Sequence, residues 1–228
     1  MPQYPARDEW VAVEAYTTSL FLPTDPVLEA ALADSDAANL PPHAVAPSQG
    51  KLLHLLTRLI NAQNVLEIGT LGGYSTIWFA RALPEAGRII TLEADPKHAE
   101  IARRNLARAG VQHKVELREG PAAETLAALV ADRRRPFDLI LIDADKSNNP
   151  IYFQYALKLA RTGTLIIADN VVRNGTVLEA DSDDDYVQGI RRFNEIVAAE
   201  PRVLATSIQT VSAKGWDGMT FLLVTADP

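Results

Sequence analysis

The sequence predicts an α/β fold: a doubly wound, mostly parallel, seven-stranded sheet with additional N-terminal helices. Three observations lead there. Short apolar runs recur from residue 64 onward, amphipathic stretches of helical length separate them, and a glycine-rich turn joins the first run to the helix after it. Strands that alternate with helices of about 10–15 residues need crossover connections, which produce a parallel sheet covered on both faces.

Residues 8–21 read as a first helix, closed by Leu22-Pro23. Thr24-Asp25-Pro26 supplies a cap and a proline at the helix start, opening a second helix rich in Ala and Leu. Residues 39–47 hold three prolines and read as a loop. A third helix begins at Ser48 and carries Leu52, Leu53, Leu55, Leu56, Leu59 and Ile60. The strand runs are residues 65–68, 89–92, 115–117, 139–142 and 165–168. Residues 97–109 form an amphipathic helix that stops at Gly110, a residue suited to a left-handed cap. A last helix over 187–199 leads into two closing strands, 202–211 and 219–225. Trp216 falls in the loop between them, where it either walls a pocket or packs. No repeat or low-complexity linker interrupts the chain. Residues 1–228 are therefore expected to form one domain, with a helical cap over 1–62 and the sheet-bearing core over 63–228.

A chain of 228 residues can bury roughly 70% of its extended surface, so it needs no disulfide or structural metal to fold. It has no cysteine, which removes thiolate metal sites, redox motifs and cysteine nucleophiles together. The net charge of −7, with basic residues in short pairs or one triplet, is the opposite of a phosphate-neutralising surface. Met1-Pro2-Gln3-Tyr4-Pro5 lacks the basic start and apolar core of a signal peptide. No apolar run reaches the ~18 residues of a membrane span. The expectation is a soluble, cytoplasmic protein with neither a nucleic-acid nor a membrane partner.

Leu66-Glu67-Ile68-Gly69-Thr70-Leu71-Gly72-Gly73-Tyr74-Ser75 follows the first strand and opens a helix. A dinucleotide fingerprint requires glycine two residues after Gly69, against the pyrophosphate, and Leu71 stands there instead. This argues against a nicotinamide-dependent oxidoreductase. Glu67, just before the turn, would repel a pyrophosphate but suits a ligand bearing an amino group and a sulfonium. Glu93 ends the second strand, 24 residues after Gly69, where an acid can accept hydrogen bonds from both ribose hydroxyls. In series, these features resemble the S-adenosylmethionine site of class I methyltransferases.

Asp143 ends the fourth strand and Asp169-Asn170 end the fifth. Adjacent parallel strands lie about 4.8 Å apart, so the three side chains could converge beyond the carboxyl ends of the sheet, where such folds bind ligands. Two carboxylates and an amide oxygen suit a hard cation: Mg²⁺ first, with Mn²⁺ or Ca²⁺ possible. Taken alone, such residues more often just occupy strand-to-loop turns.

The surrounding motifs carry more. Phe137-Asp138-Leu139-Ile140-Leu141-Ile142-Asp143-Ala144-Asp145-Lys146, Gly163-Thr164-Leu165-Ile166-Ile167-Ala168-Asp169-Asn170 and Leu92-Glu93-Ala94-Asp95-Pro96 join the glycine loop. Together they resemble the cation-dependent O-methyltransferases, the group of catechol and caffeoyl-CoA methyltransferases, over nearly all of Val45 to Val224. The resemblance implies a Rossmann-like core, methyl transfer to a small aromatic vicinal diol, and a homodimer. It implies that Asp143, Asp169 and Asn170 hold the cation and that Lys146 is the general base. Val45, Glu67, Gly69, Thr70, Ser75, Glu93, Ala122, Asp143 and Asp145 match positions that touch the cofactor, and Asn174 matches a substrate-contacting asparagine. Arg173 and Ala168 stand where the plant members have tryptophan and tyrosine, which leaves the identity of the acceptor open.

Other candidates are weaker. Asp181-Ser182-Asp183-Asp184-Asp185 starts like a calcium loop, but Tyr186 occupies the glycine position and Arg192 the final acid. His43, His54, His98 and His113 lack metal spacing, and His54 sits in a leucine-rich helix. Arg133-Arg134-Arg135 reads as a solvated helix end favoured by the dipole. Asn174-Gly175-Thr176 is a glycosylation acceptor that a cytoplasmic protein would not use. A non-catalytic binding module has no reason to keep Asp143, Lys146, Asp169 and Asn170 together. A nucleic-acid methyltransferase would carry an Asp/Asn-Pro-Pro-aromatic motif, absent here.

Overall fold

A computed structural model describes residues 7–132 and 135–227. The N-terminal Met1–Pro5 stretch and the Arg133-Arg134 part of the basic triplet lie outside the described residues. Helices α1 (Arg7–Phe21), α2 (Pro26–Ala37) and α3 (Pro47–Leu59) precede the sheet. The Asp25 carboxylate caps α2 by accepting from the amides of Val27 and Leu28, with Pro26 opening the helix.

Strands and helices then alternate: β1 (Asn64–Ile68), α4 (Tyr74–Ala82), β2 (Arg88–Glu93), α5 (Pro96–Arg108), β3 (Val115–Glu119), α6 (Ala122–Ala131), β4 (Leu139–Ile142), α7 (Asn149–Leu159), β5 (Leu165–Asp169) and α8 (Asp185–Ala199). A hairpin, β6 (Val203–Ser212) and β7 (Gly215–Val224), completes the sheet. The strand order is β3-β2-β1-β4-β5-β7-β6. The first five strands are parallel, and β7 runs antiparallel to both β5 and β6.

Successive side chains on a strand face opposite ways, so each central strand supplies two cores. Leu66, Ile68, Ile140, Ile142 and Ile166 pack with Phe153 and Phe193 on one face. Val65, Ile89, Leu139, Leu141 and Ile167 pack with Leu53, Ile77 and Phe79 on the other. Chain connections leave in opposite directions from β1 and β4, which places the switch point of the sheet between them. That is where open α/β sheets bind ligands.

The closing hairpin is longer than the sequence suggested. Its turn is only Ala213-Lys214, and Trp216 pairs with Val211 inside β7 instead of lying in a loop. Gly215, at φ +120°, takes the left-handed conformation that the tight turn needs. Among the described residues no helix is long and apolar enough to cross a membrane.

Candidate active site

A cleft of about 740 Å³ opens at the carboxyl ends of β1, β2, β4 and β5. Its floor is the glycine turn. Gly69 has φ +103°, and a Cβ there would run into the Asp143 backbone carbonyl, so only glycine lets β1 and β4 close together. Leu71 also takes a left-handed φ of +50°, and its amide donates to Glu93 Oε2 at 2.7 Å. The Asp95 amide donates to Glu93 Oε1 at 2.9 Å, and His98 Nδ1 stands 3.4 Å from the same oxygen. Glu93, the last residue of β2, is thus buried and fixed at the cleft wall. Val45, Thr70, Ser75, Ala122 and Asp145 also line the cleft. Asp145 accepts from Tyr152 Oη at 2.5 Å and Asn148 Nδ2 at 2.5 Å, and burial with the Asp145 carboxylate beside it pushes the Tyr152 phenol up.

Glu67 is placed differently from the other cofactor candidates. It is fully buried and does not line the cleft. Ser75 donates to its Oε1 at 2.6 Å, while Thr76 and Thr91 donate to Oε2 at 2.5 and 2.6 Å. Burial pushes its carboxyl up to about 7, against the lowering effect of those three hydroxyls. Its links to the cleft run through Ser75 and through Thr70, whose hydroxyl pairs with Thr91 at 2.6 Å.

Asp143, Lys146, Asp169 and Asn170 share the same cleft. Lys146 is almost wholly buried, and its Nζ donates to Asp143 Oδ1 at 2.8 Å. Asp169 is buried as well, and desolvation together with the Asp143 carboxylate raises its pKa well above the usual carboxylate range. Asn170 follows in the left-handed region at φ +57°, with its amide donating to Asp169 Oδ1 at 2.7 Å. Among the described residues no three His, Cys, Asp or Glu side chains group around one point; the set here is two carboxylates and an amide.

Asn174 stands apart. It is exposed, lies outside the cleft lining, and accepts from the Trp216 amide at 3.3 Å. Sequence reasoning missed two residues that do line the cleft, Lys214 and Asp217. Lys214 donates from Nζ to the carbonyls of Ala44 and Pro42, and thus ties the hairpin tip to the loop before α3. Asp217 accepts three backbone amides from β7 and the loop after β5. Both sit in the segment that read as an irregular loop, so no strand pattern pointed to them.

Comparison with known proteins agrees with this geometry. The O-methyltransferase family model matches residues 23–224. A catechol O-methyltransferase of Mycobacterium tuberculosis is 53% identical over 212 residues, covering 93% of this chain and 94% of the relative. A catechol O-methyltransferase of Niastella koreensis is 50% identical over 213 residues, covering 93% and 96%. The crystal structure of an O-methyltransferase from Bacillus cereus in complex with SAH superposes with a TM-score of 0.95 at 54% identity, over 96% of this chain and all of the other. With its glycine turn, buried acid and strand-end carboxylates on a seven-stranded sheet of this order, the chain belongs to the O-methyltransferase family.

Proposed function

We propose that this protein transfers the methyl group of S-adenosylmethionine to one hydroxyl of a small aromatic vicinal diol, with a divalent cation at Asp143, Asp169 and Asn170. The observation that carries the reading is one cleft lined both by Glu93 and the Gly69 turn and by Asp143, Lys146, Asp169 and Asn170. The catechol activity named for two relatives, and the SAH bound to a third, support it.

The donor set fits a hard cation such as Mg²⁺, with Mn²⁺ or Ca²⁺ admitted by the same chemistry. Burial, and then the Asp143 carboxylate that repels it, drive Asp169 toward its neutral form. A cation between the two acids would relieve the repulsion. When bound, the cation lowers the pKa of the acceptor hydroxyl and the sulfonium supplies the methyl group. Lys146 takes the hydroxyl proton at Nζ. The Glu93 carboxylate orients the ribose. The Gly69 turn lets the ligand approach main-chain atoms, and the walls from Val45 and Ala122 exclude water.

A nicotinamide oxidoreductase is the rival on this fold. Against it, the Leu71 amide, which would face a pyrophosphate, is committed to Glu93. Calorimetry with S-adenosylmethionine and with NADH separates the two readings: heat from the first and none from the second is expected, and the reverse would overturn the proposal. We also propose that the protein works as a homodimer in the cytoplasm. Exposed Leu204, Ile208 and Val211 on the edge strand β6, with Val13, Tyr16, Leu20 and Phe21 on α1, supply an apolar surface for self-association. Light scattering would show a dimer mass.

A further inference from the structure

We infer that Asp217 is a positioning residue that fastens the loop carrying Asn170, and so sets the third oxygen of the cation site; this rests on the cation reading above. The loop after β5 is an improbable conformation by itself. Asn170, Arg173 and Asn174 have φ of +57°, +51° and +53°. Asparagine tolerates the left-handed region, but arginine rarely adopts it. Something outside the loop must therefore hold it.

That support comes from β7. Asp217 Oδ1 accepts the amides of Val172 and Arg173, each at 3.0 Å, and that of Gly218 at 2.9 Å. The Val171 amide donates to the Gly218 carbonyl at 3.1 Å, and the Trp216 amide to Asn174 Oδ1 at 3.3 Å. The two segments pack so closely that a Cβ on Gly218 would stand 2.7 Å from Val172 Cγ2, and one on Gly175 would stand 2.9 Å from the Trp216 ring. One carboxylate oxygen thus gathers the amides two and three residues after Asn170. Asp217 is also close enough to Asp169 to raise its pKa, so a second role for it, through charge alone, has to be separated from the role through hydrogen bonds.

The test compares Asp217→Asn with Asp217→Ala in the full-length protein. Asparagine keeps an acceptor oxygen and loses the charge; alanine loses both. The readouts are Mn²⁺ affinity in the absence of cofactor, S-adenosylhomocysteine affinity, and hydrogen exchange at the amides of Val172 and Arg173. Alanine is expected to weaken Mn²⁺ binding by about 10–100-fold, the usual effect of losing a group that orients a ligand. It should speed exchange at both amides and leave S-adenosylhomocysteine affinity unchanged. Asparagine should restore most of the Mn²⁺ affinity and the protection. If asparagine is as weak as alanine, the charge matters and the fastening role is overturned. An alanine variant with the parent's Mn²⁺ affinity, or one that loses cofactor affinity equally, overturns it too. If the parent itself binds no Mn²⁺, the cation reading fails separately. Exchange then decides the fastening: faster in alanine than in asparagine supports it, and equal rates in all three proteins refute it.

Discussion

Lys146 Nζ lies 2.8 Å from Asp143 Oδ1, three residues back along the turn that leaves β4, and both side chains face the same cleft. The contact with the Asp143 carboxylate holds the buried Lys146 nitrogen in place at the cleft. If Lys146 accepts the hydroxyl proton, Lys146→Met should cut turnover by roughly 10²–10⁴ while cofactor affinity stays the same. Arginine should fail as well, since guanidinium remains protonated. Freeing Asp143 Oδ1 from the Lys146 hydrogen bond should also leave Mn²⁺ affinity equal or tighter. Near-normal single-turnover rates in the methionine variant would show that the proton leaves by another route.

Glu93 should govern cofactor binding. Its oxygens already accept from the amides of Leu71 and Asp95, and each has a second lone pair for a ribose hydroxyl. Glu93→Ala is expected to weaken S-adenosylmethionine binding by roughly 1.5–3 kcal/mol, about one to two decades. Calorimetry on the folded variant measures this directly, and unchanged affinity would remove Glu93 from the cofactor site.

Much of this architecture was legible in the sequence because parallel strands buried on both faces read as plain apolar runs. Leu139–Ile142 is four buried aliphatics in a row, and its bounds match the sequence reading. The closing hairpin was less legible. Asp217 and Gly218 interrupt the apolar alternation of β7, so the strand seemed to start at Met219 instead of Gly215. Candidate residues at strand ends share one cleft because the fold brings strand ends together. The direction of a side chain is another matter. Glu67 turns inward because Thr91, 24 residues on in β2, and Ser75 and Thr76 in α4 converge on it, a set of contacts with no local signature. Asn174 points away because its loop is bound by Asp217, more than forty residues later.

The buried Glu67 should leave a mark on stability. Its folded carboxyl is pushed up to about 7 from an ordinary 4.5, chiefly by burial. Between those values the folded protein holds a proton that the unfolded chain has lost, so stability falls as pH rises through the window and levels off above it. The cost at pH 8 is about 3 kcal/mol, on the scale of one pH unit per 1.36 kcal/mol. Glu67→Gln cannot ionise and should lose this share of the slope, whatever constant offset its altered hydrogen bonds bring. Urea unfolding of both proteins at pH 5 and pH 8 gives the comparison. Parallel pH dependence in the two would mean that Glu67 is charged throughout.

The cation reading also predicts which acceptors react well. Asp143, Asp169 and Asn170 offer three protein oxygens, which leaves about three places on an octahedral Mg²⁺. Neighbouring hydroxyls on one ring can take two of them, so a diol is held in a single orientation. A lone phenol binds through one oxygen and keeps its freedom to rotate. Orientation of the reacting oxygen is worth far more than the contact itself. Catechols should therefore exceed matched monophenols by at least about tenfold in kcat/KM, equivalent to ~1.4 kcal/mol. Chelation with EDTA should abolish the activity and Mg²⁺ should restore it. A paired assay of a catechol and its mono-hydroxyl analogue, with and without chelator, covers both expectations. Equal rates for the two acceptors, or full activity in EDTA, would sink the chelation mechanism while leaving methyl transfer itself intact.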